Sequence, residues 1–184
     1  FDMSITVASE TFNEKRRIGK KHTCVRMSQN DPNVSVSFGW EGVPDSAISI
    51  AVIMDSTESP GDLPWTHWII WNIPPDITEL PEGSPSEELV SVGVRQGANE
   101  SGGIGYLGPC PPVIIVTNGA TGDMSRTKTE NVKPYYFTVY ALDVMLDLQE
   151  GATKQQLLDA IDGHVLTAGR LKGERQGDIV RRNQ

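Results

Sequence analysis

The 184-residue chain is poor in the side chains that usually announce chemistry: it has two cysteines and three histidines. Cys24 and Cys110 form no C-x-x-C pair, and His22, His67 and His164 are too far apart to make a helical zinc-binding pair, so nothing in the spacing calls for a metal or a cofactor. There is no G-x-S-x-G elbow, no G-x-x-x-x-G-K-[ST] phosphate loop and no H-E-x-x-H, and no nucleophile is specified together with its base. Basic residues are outnumbered, 16 Lys and Arg against 24 Asp and Glu, for a formal net charge of −8. That balance argues against nucleic acid as the main partner, because phosphate neutralisation needs clustered cations. No apolar run approaches the ~20 residues of a membrane-spanning helix. No secretory leader is visible; because the chain opens at Phe1 rather than Met, an upstream segment is open, and localisation is left between cytoplasm and export.

What is present reads as one β-rich domain over residues 1–184. Eighteen glycines and twelve prolines punctuate many short elements. Ile5 and Val7 alternate in an opening strand. Val34, Val36, Phe38 and Trp40 alternate in the next, whereas "AISIAVIMD" (Ala47 to Asp55) and Trp65 to Ile73 are continuous apolar runs, the pattern of strands buried on both faces. Residues 82–103 look irregular, with a glycine-rich window from Gly97 to Gly108. The stretch 113–133 reads as a long inserted loop, Tyr135 to Val144 as an aromatic strand, and 174–184 as a frayed tail. One helix is predicted: Thr153 and Gln156 have the spacing of a capping box, and Leu157, Leu158, Ile161 and Val165 share a helical face. Lys15, Arg16, Arg17, Lys20 and Lys21 form a basic patch, read first as a solvated loop and otherwise as a docking surface for an anionic partner. In a reducing compartment the default for the two cysteines is free buried thiols, and a disulfide between them is the alternative. Paired, they would close a long loop, worth about 4–5 kcal/mol in the chain-entropy picture.

The stretch "PWTHWIIWNIPP" (Pro64 to Pro75) places an imidazole where packing alone would accept a valine. Strict alternation puts Trp65, His67, Ile69 and Trp71 on one face. The preceding loop brings Asp55 and Glu58 close in sequence, and a carboxylate beside an imidazole orients it and raises its pKa. The glycine-rich loop offers backbone N–H groups for an anion nest. Against this, a lone histidine among tryptophans is more often a hydrogen-bonded core residue, and glycine-rich loops are more often turns.

The ordered motifs "HTC" (His22 to Cys24), "SFGWEGVPDS", "MDSTESP", "WTHWIIWNIPPDITELPEG", "GIGYLGPCPP", "YYFTVYALD" and "GATKQQLLDAIDGHVL" together resemble the phosphatidylethanolamine-binding protein family, in its bacterial and archaeal Raf-kinase-inhibitor-like branch. They span residue 22 to about 173. The resemblance implies a β-sandwich of two antiparallel sheets with a helix near the C-terminus. It also implies a small pocket at one end for phosphate or a phospholipid head group. Carried over by position, it implies ligand-binding roles for Trp65 and His67, for Gly108, Cys110, Pro111 and Pro112, for Tyr106 and Tyr135, and for Glu58. Asp55 stands one residue from the family's first acid, whose own position is Ser56. Lys133 and Pro134 stand where the family has His-Arg, leaving Lys133 as a point charge for an anion.

The expectation is a ligand-binding protein without enzymatic activity and without a cofactor, its partner a small anion or head group. The alternative is a protein-interaction module, a kinase-pathway regulator or protease inhibitor, using the 113–133 loop and the basic patch. A homodimer is open. An enzyme would need a nucleophile, and Cys110 is the one candidate.

Overall fold

The computed structural model describes residues 1–12, 17–24, 33–57, 64–110, 114–117, 132–176 and 179–182. Two antiparallel sheets form its body. The larger has the order β6-β4-β3-β8-β9 and comprises β3 (Ser49–Ser56), β4 (Trp65–Ile73), β6 (Arg95–Gln96), β8 (Val132–Leu142) and β9 (Val165–Gln176). The smaller has the order β1-β2-β5, from β1 (Thr6–Ala8), β2 (Phe38–Glu41) and β5 (Glu79–Leu80). A further parallel pair joins β7 (Ile114–Thr117) to β10 (Ile179–Arg182). Among the described residues the helices are α1 (Glu87–Ser91), α2 (Lys154–Ile161) and a 3-10 turn at Lys20–His22.

The apolar runs explain the layering. β3 and β4 are buried on both faces, as their continuous Ile, Val and Trp sequences predict. On one face Ile50, Val52, Met54, Trp68 and Ile70 pack with Phe137 of β8 and with Val7, Phe38, Trp40 and Leu80 of the smaller sheet. On the other, Ala51, Ile53, Ile69 and Trp71 pack with Leu146 and with Leu157 and Ile161 of α2. The sandwich therefore has a helix-covered back.

Helix α2 starts as its sequence predicts. Thr153 Oγ1 accepts the Gln156 amide, and the Gln156 side chain accepts the Thr153 amide, completing the capping box. It ends sooner than its apolar spacing suggests. Asp162 closes it, Gly163 turns the chain at φ +77°, and Val165 opens β9 instead of extending the helical face.

The supposed tail is ordered through Gln176 as the pairing partner of β8, and β10 pairs with β7. The 113–133 stretch likewise contains β7 and the first residues of β8; residues 118–131 lie outside the described residues. The "irregular" 82–103 region holds α1, whose first turn is capped by the Ser86 hydroxyl, and β6.

Two register shifts break the β3–β4 ladder. Ile50 pairs with Ile73 but Val52 with Ile70, and Met54 pairs with Trp68 but Asp55 with Thr66. Each leaves an extra residue on β4. In the first bulge Asn72 adopts φ +58°, a conformation asparagine tolerates, and its amide brackets Leu146, donating to the carbonyl (2.9 Å) and accepting from the N–H (2.8 Å). In the second, the extra residue is His67.

Replacing Thr153 with Ala removes the cap while leaving the buried face of α2 intact. We expect a loss of about 1 kcal/mol, read as a lower urea midpoint with an unchanged slope.

Candidate functional site

The bulge at His67 overturns the simple alternation read from the sequence. Because Asp55 faces Thr66 and Met54 faces Trp68, His67 has no residue opposite it. Its ring leaves the Ile69 and Trp71 face and joins the inter-sheet face, where it meets Tyr135 edge-on at 5.1 Å and Ser56. Bulges commonly re-aim a side chain in this way. The site lies at the end of the large sheet, where β3 stops and β4 starts.

His67 is buried and well bonded. Its Nδ1 lies 2.8 Å from the Leu107 carbonyl and its Nε2 lies 2.8 Å from Ser56 Oγ. A carbonyl only accepts, so Nδ1 carries the proton. In the neutral ring Nε2 is then the acceptor, and the Ser56 hydroxyl donates to it. Leu107 also donates its own N–H to the His67 carbonyl at 2.8 Å. Both backbone groups of one loop residue thus fix the position and tautomer of the imidazole.

That loop is held by close backbone approach. The Gly108 amide donates to Asn33 Oδ1 (2.7 Å), and Asn33 Nδ2 donates to the Tyr106 carbonyl (2.9 Å). The Tyr106 hydroxyl donates to the His22 carbonyl (2.8 Å), and the Cys24 amide to the Pro109 carbonyl (3.1 Å). A Cβ on Gly108 would sit 2.0 Å from the His22 carbonyl oxygen, so only glycine fits. His22 is itself buried, its Nδ1 bonded to the Val34 carbonyl (2.7 Å) and its Nε2 3.4 Å from Glu82. The Lys21 ammonium hydrogen-bonds Glu82 and holds that carboxyl below the usual range.

Cys24 and Cys110 are joined as a disulfide, with Cα atoms 5.4 Å apart, rather than free as a reducing compartment would imply. The pairing also removes Cys110 as a thiol nucleophile.

The expected site residues divide. His67 and Tyr135 meet, and Trp65, 44% exposed, pairs in register with Ser56 at the open end of the strands. Lys133 lies two residues before Tyr135 and so shares its face of β8. Asp55 does not join them. It lies on the helix-covered face, where Lys154 Nζ approaches Asp55 Oδ2 at 2.6 Å. The residue that reaches the imidazole is Ser56, one position on, because neighbouring strand residues point to opposite faces.

Tyr106 is a scaffold residue, packed edge-on against Trp68 at 5.6 Å, and burial holds its phenol neutral by pushing its pKa far up. The glycine-rich loop forms turns instead of an open nest. The amides of Gly102, Gly103, Gly105 and Gly108 already donate to Asn99 O, Ser101 Oγ, Gly97 O and Asn33 Oδ1. Glu58, Pro111 and Pro112 lie outside the described residues. Among the described residues, no cluster of three or more His, Cys, Asp or Glu side chains has metal-binding geometry. Sequence reading missed Ser56 as the imidazole's partner, the Leu107 carbonyl and the Asn33 clamp.

A profile of the family described as "Phosphatidylethanolamine-binding protein" matches residues 8–115 and 121–176. The chain belongs to this family. A UPF0098 protein of Methanothermobacter thermautotrophicus is 39% identical over 169 residues, covering 92% of this chain and 97% of that one. One from Chlamydia muridarum is 33% identical, covering 94% and 99%. Among solved structures, a phosphatidylethanolamine-binding protein homolog from Chlamydia trachomatis superposes with a TM-score of 0.72 at 33% identity, covering 95% of this chain and 98% of that one. E. coli YbcL, described as a member of the mammalian family, superposes at 0.74 with 23% identity over 94% and 98%, a likeness of fold alone.

Gly108→Ala must force the His22–Thr23 backbone away from the loop, whereas a Cβ on Gly103 meets nothing closer than 3.5 Å. We expect the first substitution to cost at least about 1–3 kcal/mol in urea unfolding and the second to be close to neutral.

Proposed function

We propose that this family member binds a small anionic group, phosphate or a phospholipid head group, beside His67, without turning it over. The observation that carries the reading is the bulged imidazole. Burying a polar ring in a strand costs free energy unless it is bonded, and here the ladder is broken to bring the ring out beside Tyr135 at the sheet's open end. A departure from local regularity of this kind is expected where function requires it. A protonated His67 keeps its bond to the Leu107 carbonyl through Nδ1 and has a second N–H, on Nε2, to share between Ser56 and an anion. Lys133, on the face of Tyr135, adds a cation. The committed glycine amides leave side chains, not a backbone nest, as the donors in this reading.

Titration of the labelled protein with inorganic phosphate and with phosphorylethanolamine tests it by NMR. Saturable shifts are expected at the His67 ring with both ligands; their absence overturns the proposal. A phosphate response confined to inorganic phosphate would exclude the head-group form.

The opposite face supplies a control. Asp55→Asn breaks the pair with Lys154 but leaves Ser56 and His67 in place, so phosphate binding should be unchanged while thermal stability falls modestly. Loss of phosphate binding in this variant would return Asp55 to the site.

A further inference from the structure

Where the family has a carboxylate, this chain has a hydroxyl, and the hydroxyl lies 2.8 Å from the nitrogen that must be its acceptor in the neutral ring. We propose that Ser56 is a nucleophile activated by His67, and that it captures small activated phosphorus esters covalently at this site. The inference rests on the anion-binding reading for its ligand class, and on independent geometry for its chemistry.

Three features carry it. The first is the nucleophile–base distance, within the reach that general-base activation of a hydroxyl requires. The second is the tautomer. The Leu107 carbonyl obliges Nδ1 to hold the proton, so the Nε2 lone pair points at the Ser56 hydroxyl, as a general base needs. The Leu107 carbonyl by itself is enough to hold the imidazole in this tautomer. The third is position. Ser56 is the last residue of β3, followed by half-buried Thr57 and paired in register with the exposed Trp65, so the shielded dyad lies at the surface end of the sheet and not in its middle.

In the reaction, Ser56 Oγ bonds to phosphorus while its proton passes to His67 Nε2. The bond from phosphorus to the leaving group breaks, and the leaving group departs with that electron pair. The proton on Nε2 then goes to the leaving group or to water. The orienter is a neutral carbonyl, which stabilises the developing imidazolium less than a carboxylate does. The amides of Gly102, Gly103, Gly105 and Gly108 are already engaged, so they offer no oxyanion hole to drive hydrolysis of the adduct. The expected outcome is one slow, lasting modification and not turnover.

The test is incubation with an alkyl fluorophosphonate, followed by intact mass and peptide mapping. The Oγ–P bond forms, the P–F bond breaks and fluoride leaves. One adduct per chain, on Ser56, is expected; Ser56→Ala should give none there and no compensating site. His67→Gln should label about 100-fold more slowly. Because that variant removes a buried hydrogen-bonded ring, the wild-type pH profile provides a second measurement. The rate should rise along a single ionisation as the imidazole loses its proton. Among the described residues, Tyr135 meets the ring edge-on and is itself within electrostatic reach of the Tyr106 phenol, Lys133 shares the Tyr135 face of β8, and the Glu100 carboxylate accepts the amide of the neighbouring Thr66.

No adduct at Ser56, a flat pH profile, or equal labelling of a folded His67→Gln protein overturns the proposal. Inorganic phosphate should slow labelling by occupying the same site. Phosphate shifts at His67 without an adduct would sink the nucleophile and leave the anion reading standing. An adduct that phosphate neither shifts nor protects would do the reverse.

Discussion

Two-sided burial of β3 and β4 is the constraint from which the rest follows. Their faces are claimed by the smaller sheet on one side and by α2 on the other. A polar group in either strand must find its partner inside the protein, because water cannot reach it. Both places where β4 carries a buried polar side chain off the regular ladder are bulges. Asn72 uses its amide to hold Leu146, a structural role. His67 uses one ring nitrogen for the Leu107 carbonyl and presents the other to Ser56. The same device holds a loop at one end of the strand and orients a buried imidazole at the other.

The loop that supplies Leu107 gets its position from contacts remote in sequence. Asn33 bridges its two sides, Tyr106 reaches the His22 carbonyl, and the Cys24–Cys110 link fastens its end. Gly108 is the point at which two backbones come too close for any side chain. Histidine orientation here depends on the absence of an atom as much as on any bond.

Much of this was legible in the sequence. β4 runs over the residues whose apolar run marked it, and the Thr153–Gln156 spacing marked a real capping box. β8 starts earlier than its aromatic run suggests because Pro134 discourages a strand assignment. Proline is tolerated there since β3 has its last partner on β8 at Tyr136, so no ladder bond on that side is lost. β9 was hidden by its charges and by Gly169 and Gly173. Those glycines are there because a Cβ would meet the Ile5 backbone at 2.1 Å and the Phe12 ring at 2.8 Å. Of the candidate site, the nearness of His67 and Tyr135 was legible in the sequence, but the parity of His67 was not. Alternation along a single strand cannot reveal a bulge, which exists only in the pairing of two. The unseen extra residue is what kept His67 on the wrong face, and counting along β3 favoured the nearer acid over Ser56.

The disulfide closes a span of 86 residues, and the clasp of His22–Cys24 on the 106–110 loop spans a comparable distance. Contacts of such separation are entropically costly to close and are favoured to form late in folding. The loop whose Leu107 carbonyl sets the imidazole's tautomer is fastened by contacts of this length. Any ligand that requires the oriented ring selects the finished molecule and, by mass action, stabilises all of it at once. Orientation of the ring is in this way tied to completion of the fold.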